Sequence, residues 1–248
     1  MKSISRRAFV LGTSSAVATL AVASSALGES VDRSLPGDSF GFASNFSRSS
    51  FGQRPRLDPE AAREYAGMYA EVLGEPFPVP AVDLAQIDPA FLRQEVDYFS
   101  VEPAGTIIVD PYARYLYHLQ PGGRATRYGV GVGRQGFGWS GVASINSKQE
   151  WPDWYPPLEM VERQPEIAVQ LVDLRSGRGV AGGVTNPLGC RALYLWQDNK
   201  DTLYRIHGTF EPWTIGTNVS SGCIRMINQD VIHLYQRTPV GTNVVVLA

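Results

Sequence analysis

The chain has 248 residues, with 22 Lys and Arg against 24 Asp and Glu, a formal net charge of −2, and 44% hydrophobic residues. That balance excludes a disordered or collagen-like chain and lacks the basic footprint of a dedicated nucleic-acid binder, so no nucleic-acid partner is expected. Gly 25 and Pro 17 favour a turn-rich β fold over a helical bundle, and two cysteines fit neither a disulfide scaffold nor a zinc site, so no metal is expected.

In chain order, Lys2, Arg6 and Arg7 precede a weakly apolar run reaching Ala23, and small residues at Ala21/Ala23 and Ser24/Ala26 offer cleavage sites. The stretch Ser5-Arg6-Arg7-Ala8-Phe9-Val10 resembles a twin-arginine export signal, whose cargo crosses the bacterial inner membrane folded. Residues 1–26 are therefore expected to be a signal peptide and the mature chain to reach the periplasm. Without them, 19 basic residues face 24 acidic ones, a net charge of −5.

Residues 27–99 are expected to form a spacer with short helices. Residues 27–57 lack periodicity and are expected to be flexible. Asp58-Pro59 predicts a helix with Asp58 as cap, apolar Ala62, Tyr65, Tyr69 and Val72 at helical spacing, and Gly74 as its stop. Pro76–Pro80 is a proline-rich connector, and Asp88-Pro89 predicts a second short helix to about Glu95. A chain beginning near Ala81 is expected to melt within a few degrees of the mature protein unless these helices pack on the C-terminal part of the chain.

From about Thr106 the pattern becomes short β-branched and aromatic runs separated by turn clusters such as Gln120-Pro121-Gly122-Gly123. Strands are expected at Thr106–Val109, Tyr115–Leu119, Arg127–Val132, Ala143–Asn146, Ala192–Trp196, Leu203–His207 and Thr242–Leu247. The fold class is therefore mainly β, a sandwich or partly closed barrel, in a domain over residues 100–248. Trp151–Pro165 holds four prolines and reads as a surface loop or lid. Asn228–Arg237 reads as a helix with Asn228 at its cap and Val231, Leu234 and Tyr235 facing inward.

The chemistry concentrates in Ile206-His207-Gly208-Thr209, then Pro212-Trp213-Thr214-Ile215-Gly216, then Ser220-Ser221-Gly222-Cys223-Ile224-Arg225-Met226. A thiol in an exported protein serves as half of a disulfide or as a nucleophile, and Cys223 with Cys190 admits either. Gly222 permits a tight turn before Cys223, whose neighbouring amides can face a developing oxyanion. His207 is the candidate base. His118 and His233 read as structural or solvated, and Cys190 as a small buried hydrophobe.

This stretch resembles the YkuD-type L,D-transpeptidase catalytic domain, with its His-Gly segment followed by Ser-x-Gly-Cys-(Ile/Val)-Arg. Gly105–Leu119, Tyr128–Arg134, Trp151–Met160 and Gly182–Tyr194 extend the likeness in the family's order. The departures are Ser221, where relatives often carry His, Lys or Arg, and Cys190, where many carry a small apolar residue. The resemblance implies a β fold with a helix after the catalytic turn, and a cofactor-free reaction on peptidoglycan stem tetrapeptides. Cys223 would be the nucleophile and His207 its proton donor and acceptor, oriented through a backbone carbonyl. Gly222, Ser221 and Ser220 would form the oxyanion loop; Arg225, Gly208 and Thr209 would bind substrate or pin that loop. The acceptor amine would belong to a second stem, or to an outer-membrane protein or lipoprotein. An L,D-carboxypeptidase using water, and a non-catalytic wall-binding module on the same fold, are the alternatives.

Overall fold

The structure, a computed structural model, describes residues 57–133, 140–220 and 222–248. The expected signal peptide, spacer residues 27–56 and Ser221 lie outside the described residues.

Thirteen strands follow one another among the described residues: β1 (Gln94–Asp97), β2 (Ile107–Asp110), β3 (Tyr115–Gln120), β4 (Arg124–Gly129), β5 (Val132–Gly133), β6 (Gly141–Glu150), β7 (Val172–Leu174), β8 (Gly177–Gly179), β9 (Arg191–Gln197), β10 (Lys200–His207), β11 (Asn218–Ser220), β12 (Ile224–Arg225) and β13 (Asn243–Val246). Nine of them form one sheet in the order β1-β4-β3-β2-β13-β6-β9-β10-β12. Neighbours are antiparallel except for two parallel joins, β2 with β13 and β10 with β12. The pairs β5–β11 and β7–β8 stand apart. The mainly β class is as the sequence indicates, in the form of one large mixed sheet.

Successive side chains of a strand point to opposite faces, and β2 uses both. Ile107 and Val109 join the main core with Leu116, Tyr128, Ile145, Leu193, Leu195, Ile206 and Val244. Ile108 joins a smaller cluster with Leu119 and Ala125. Helix α3 (Asn228–Arg237) closes the main core with Val231 and Leu234 fully buried and Tyr235 packed beside them, the inward stripe its spacing predicts.

Several local expectations are corrected by tertiary contacts. Helix α1 (Pro59–Met68) starts as predicted, the Asp58 carboxylate accepting from Glu60 N at 3.0 Å and Ala61 N at 2.9 Å, but it ends before Tyr69 rather than at Gly74. Its continuation doubles back instead, with Val72 N donating to Val79 O at 3.0 Å. The second expected helix is a single 3-10 turn, Pro89–Phe91. Beyond Leu92 the backbone extends as β1, because the edge of β4 offers hydrogen bonds in the register Gln94↔Arg127 to Asp97↔Arg124. The first expected α-helical residues of α3 also differ: Ile227 occupies the cap, and Asn228 spends its side chain elsewhere.

The segment before residue 100 is consequently part of the same packing unit, and no break falls at 99/100. Tyr69 is 1% exposed and packs with Ile87, Leu92, Ile215 and Ile227. Its hydroxyl donates to Asp230 Oδ2 at 3.0 Å and accepts from Arg93 N at 2.7 Å, while Arg93 Nη1 meets Asp230 Oδ1 at 3.3 Å. Burial pushes the Asp230 carboxyl up to about 7, against the pull of Arg93 and the Tyr69 hydroxyl. Gln229 adds hydrogen bonds to Ala70 O at 3.0 Å and Pro80 O at 2.9 Å.

Candidate active site

The parallel join of β10 and β12 assembles the chemistry. Its register sets Ile206 opposite Ile224 and His207 opposite Arg225, and Met226 N donates to His207 O at 2.8 Å. Cys223, immediately before β12, therefore lies beside the end of β10 that carries His207. Gly222 turns the chain into Cys223 at φ 127°, a conformation that favours glycine, and an added Cβ would lie 3.2 Å from the Tyr204 ring.

His207 is 3% exposed, and its Nδ1 lies 2.7 Å from the carbonyl oxygen of Gly208. A carbonyl only accepts, so Nδ1 carries the hydrogen and Nε2 is the nitrogen left to take up a proton. Burial pushes the imidazole down to about 4; the Gly208 and Leu188 carbonyls oppose that shift, and the Arg225 and Arg205 charges add to it. Burial likewise pushes the Cys223 thiol up, opposed by the Arg205 backbone and the Arg205 and Arg225 charges. The resting site at neutral pH is thus a neutral thiol beside a neutral imidazole. No disulfide joins the two cysteines: Cys190 is fully buried, and burial pushes its thiol up to about 12.

Gly208 and Gly189 leave room for the side chain that the sequence assigns to a helix cap. A Cβ on either would collide with Asn228 Oδ1, which accepts from Cys190 N at 3.2 Å. Asn228 thus clasps the histidine loop to the start of β9. Thr209 is buried, and its hydroxyl accepts from Glu211 N at 3.0 Å, so it turns the loop rather than lining the cavity beside Cys223.

Arg225 is pinned through its backbone, Arg225 N to Gly131 O and Gly131 N to Arg225 O, both at 2.9 Å. Its Nη1 donates to Glu211 Oε2 at 3.2 Å, while its Nε is buried without a hydrogen-bond partner. Ser220 belongs to β11; Ser221 is outside the described residues.

Two cavities meet at Cys223. One, of about 560 Å³, is lined by His207, Cys223, Arg225, Glu211 and Thr214. The other, of about 470 Å³, is lined by Gly222, Cys223, Tyr194, Leu203, Tyr204 and Arg205. Trp154, Met160 and Leu188 contribute to both walls. These three belong to the excursion between β6 and β9, residues 151–190. The excursion is more ordered than a proline-rich loop suggests: it holds α2 (Leu158–Arg163), a 3-10 turn at Pro165–Gln170 and the β7–β8 hairpin. Trp151, at its root, is buried rather than on the surface. Motif reading missed Met160, Leu188, Glu211 and Asn228. They are ordinary residue types in isolation, and only the folded chain sets Met160, Leu188 and Glu211 around Cys223 and Asn228 against the histidine loop.

Residues 104–246 match the model of the family described as the L,D-transpeptidase catalytic domain. The chain belongs to that family. Among its relatives, the probable L,D-transpeptidase ErfK/SrfK of Escherichia coli is 32% identical over 57% of this chain and 43% of that protein. The putative L,D-transpeptidase YqjB of Bacillus subtilis is 47% identical over 26% of this chain and 38% of that protein. The chain thus spans less than half the length of these relatives. A solved Brucella melitensis structure described as a probable carnitine operon oxidoreductase CaiA is 49% identical, covering 66% of this chain and 99% of that one, with a TM-score of 0.44.

Proposed function

We propose that this protein is a cysteine-dependent L,D-transpeptidase acting on peptidoglycan stem peptides. The observation that carries the reading is Cys223 and His207 on the wall of one cavity, with His207 Nδ1 fixed by the Gly208 carbonyl. His207 Nε2 takes the Sγ proton as sulfur attacks the carbonyl that links the third stem residue to its terminal D-alanine. The same proton passes to the departing D-alanine amine, leaving a thioester on Cys223. An incoming amine then attacks the thioester carbonyl, loses a proton to His207, and the thiol is restored. Amides around Gly222 and Cys223 face the oxyanion, a role worth about 3–4 kcal/mol per donor. Arg225, which lines the cavity with His207 and Cys223, suits a stem carboxylate while its Glu211 pairing and backbone bonds hold the loop.

The second cavity at Cys223 supports an amine acceptor over water, since a bulky acceptor needs an approach of its own to the thioester. Mass spectrometry of muropeptides after incubating the purified protein with sacculi tests this. Cross-links between third residues are the expected product; tripeptides alone would favour the carboxypeptidase, and attached protein would indicate protein anchoring.

The electrostatics set a pH signature. The base form of His207 is present above its folded value of about 4 and is lost as pH falls through it. Acylation of Cys223 by a carbapenem is expected to keep its histidine-dependent rate down to about pH 5 and to fall below that. A limb centred near 6.5, the ordinary histidine value, contradicts a buried neutral imidazole.

The site of action we propose is the periplasm, reached by the twin-arginine route through Arg6-Arg7. Replacing both arginines with lysine is expected to hold the precursor inside the cell; unchanged export in a strain without that pathway assigns the signal to the Sec route.

A further inference from the structure

Glu75 lies outside the family-matched residues 104–246, on the chain between α1 and β1. Its carboxylate nevertheless receives three hydrogen bonds from inside them. Oε1 accepts from Arg191 Nη2 at 2.6 Å; Oε2 accepts from Arg191 Nη1 at 2.9 Å and from Trp151 Nε1 at 2.8 Å. All of this is shielded, with Glu75 at 12% and Arg191 at 7% side-chain exposure. A two-pronged arginine–carboxylate pair is among the strongest and most directional polar contacts available to a protein. It holds the Glu75 carboxyl below its ordinary range, despite burial.

The two partners occupy particular places. Trp151 is the first residue of the excursion whose Trp154, Met160 and Leu188 wall both cavities; Arg191 is the first residue after it. Their backbones are joined too, since Trp151 N donates to Cys190 O at 2.8 Å and Arg191 Nη1 donates to the same oxygen at 2.8 Å. Trp151 sits at φ 46°, a conformation that side chains with a Cβ seldom adopt and that needs holding from outside. Its ring lies between Phe77, at 4.9 Å, and Phe210 of the histidine loop, at 6.1 Å. From Arg191 a second line leads to the reacting groups: Arg191 O accepts from Gly208 N at 3.0 Å, and Gly208 O fixes His207 Nδ1.

We propose that Glu75 is a positioning residue: by tying Trp151 to Arg191 it closes both ends of the excursion over Cys223 and steadies the loop that orients His207. The catalytic domain is then incomplete without a carboxylate from the segment that precedes it. This inference rests on the proposed role of Cys223, and two probes of that thiol separate it from mere stabilisation. Acylation by a carbapenem needs the cavity walls and His207 in place. Alkylation by iodoacetamide, a small reagent, needs the thiolate and access to it but no cavity wall, and at alkaline pH, where hydroxide forms the thiolate without help from His207, it reports access alone.

In the mature protein, at a temperature where circular dichroism shows it fully folded, Glu75→Gln is expected to slow carbapenem acylation of Cys223 about tenfold. The same change should speed iodoacetamide alkylation of Cys223 at alkaline pH at least threefold, as the walls loosen. Trp151→Phe, which removes the indole N–H and keeps an aromatic ring, should move both rates in the same directions and add little to Glu75→Gln. Should Glu75→Gln not fold, Trp151→Phe alone decides. Both rates within twofold of the parent in the folded variants, with only the melting temperature lowered, would overturn the proposal. A parent protein that no carbapenem acylates would instead count against the transpeptidase reading, and the alkylation rates would still decide the role of Glu75.

Discussion

Cys223→Ala is expected to abolish both carbapenem acylation and the release of D-alanine from stem tetrapeptides, whereas Cys190→Ala leaves both nearly intact. The two thiols are chemically alike and differ only in where the fold puts them. Cys223 borders two cavities and shares one of them with His207. Cys190 is fully enclosed, its thiol pushed up to about 12 by burial, with its backbone N–H committed to Asn228. A thiolate is the reactive species, and Cys190 has neither a route to solvent nor a base to form one. In the proposed mechanism burial favours the neutral imidazole and the neutral thiol, so proton removal from Cys223 would accompany attack rather than precede it. His207→Ala should therefore slow acylation by about 10²–10⁴-fold, the usual contribution of a positioned acid–base group. Intact mass and peptide mapping read all three variants. One added unit mapping to Cys190, or transpeptidation by the Cys223→Ala protein, would reject the assignment.

The centre of this site was legible in the sequence because it is local. His207, Gly208, Gly222, Cys223 and Arg225 lie within 19 residues of one another, and one strand pairing, β10 with β12, sets them side by side. The strands of the main core were legible for a similar reason: runs such as Ile107-Ile108-Val109 bury on both faces whatever their neighbours are. What failed was everything decided by a distant partner. Gln94–Asp97 carries no strand pattern of its own and extends only because β4 presents an open edge. Asn228 has the residue type of a helix cap, yet the close approach of Gly189 and Gly208 draws its side chain to Cys190 N instead. Glu75 and Arg191 are 116 residues apart, and Tyr69 and Asp230 are 161 apart. No periodicity or motif in a single chain announces such pairs.

Those distant pairs make the second large expectation, a severe loss of stability when the chain begins at Ala81 instead of including α1 and the segment after it. Such a chain lacks Tyr69 and Val79, both essentially without solvent exposure, and the Glu75 clamp. Removing a buried aromatic costs about 3–5 kcal/mol, and breaking a buried ion pair costs about 3–5 kcal/mol more, since the surviving charge stays in the interior. Here the surviving charge is Arg191, deprived of Glu75; Asp230 keeps Arg93 but loses the Tyr69 hydroxyl, and Gln229 loses its acceptors at Ala70 and Pro80. Against a typical total of about 5–15 kcal/mol for a domain, the sum leaves little or nothing. At about 2–4 °C per kcal/mol for a chain of this size, the melting temperature should fall by at least 12 °C, or the cooperative transition should vanish. Tyr69→Phe is the graded control. It keeps the ring in place and removes only the hydroxyl that joins Arg93 N to Asp230, so about 1–3 kcal/mol should go, the cost of an unsatisfied buried group. Differential scanning calorimetry on the three proteins orders them as parent, Tyr69→Phe, then the shortened chain. A shortened chain melting within a few degrees of the parent would mean that residues 57–80 lie on the β domain without holding it together.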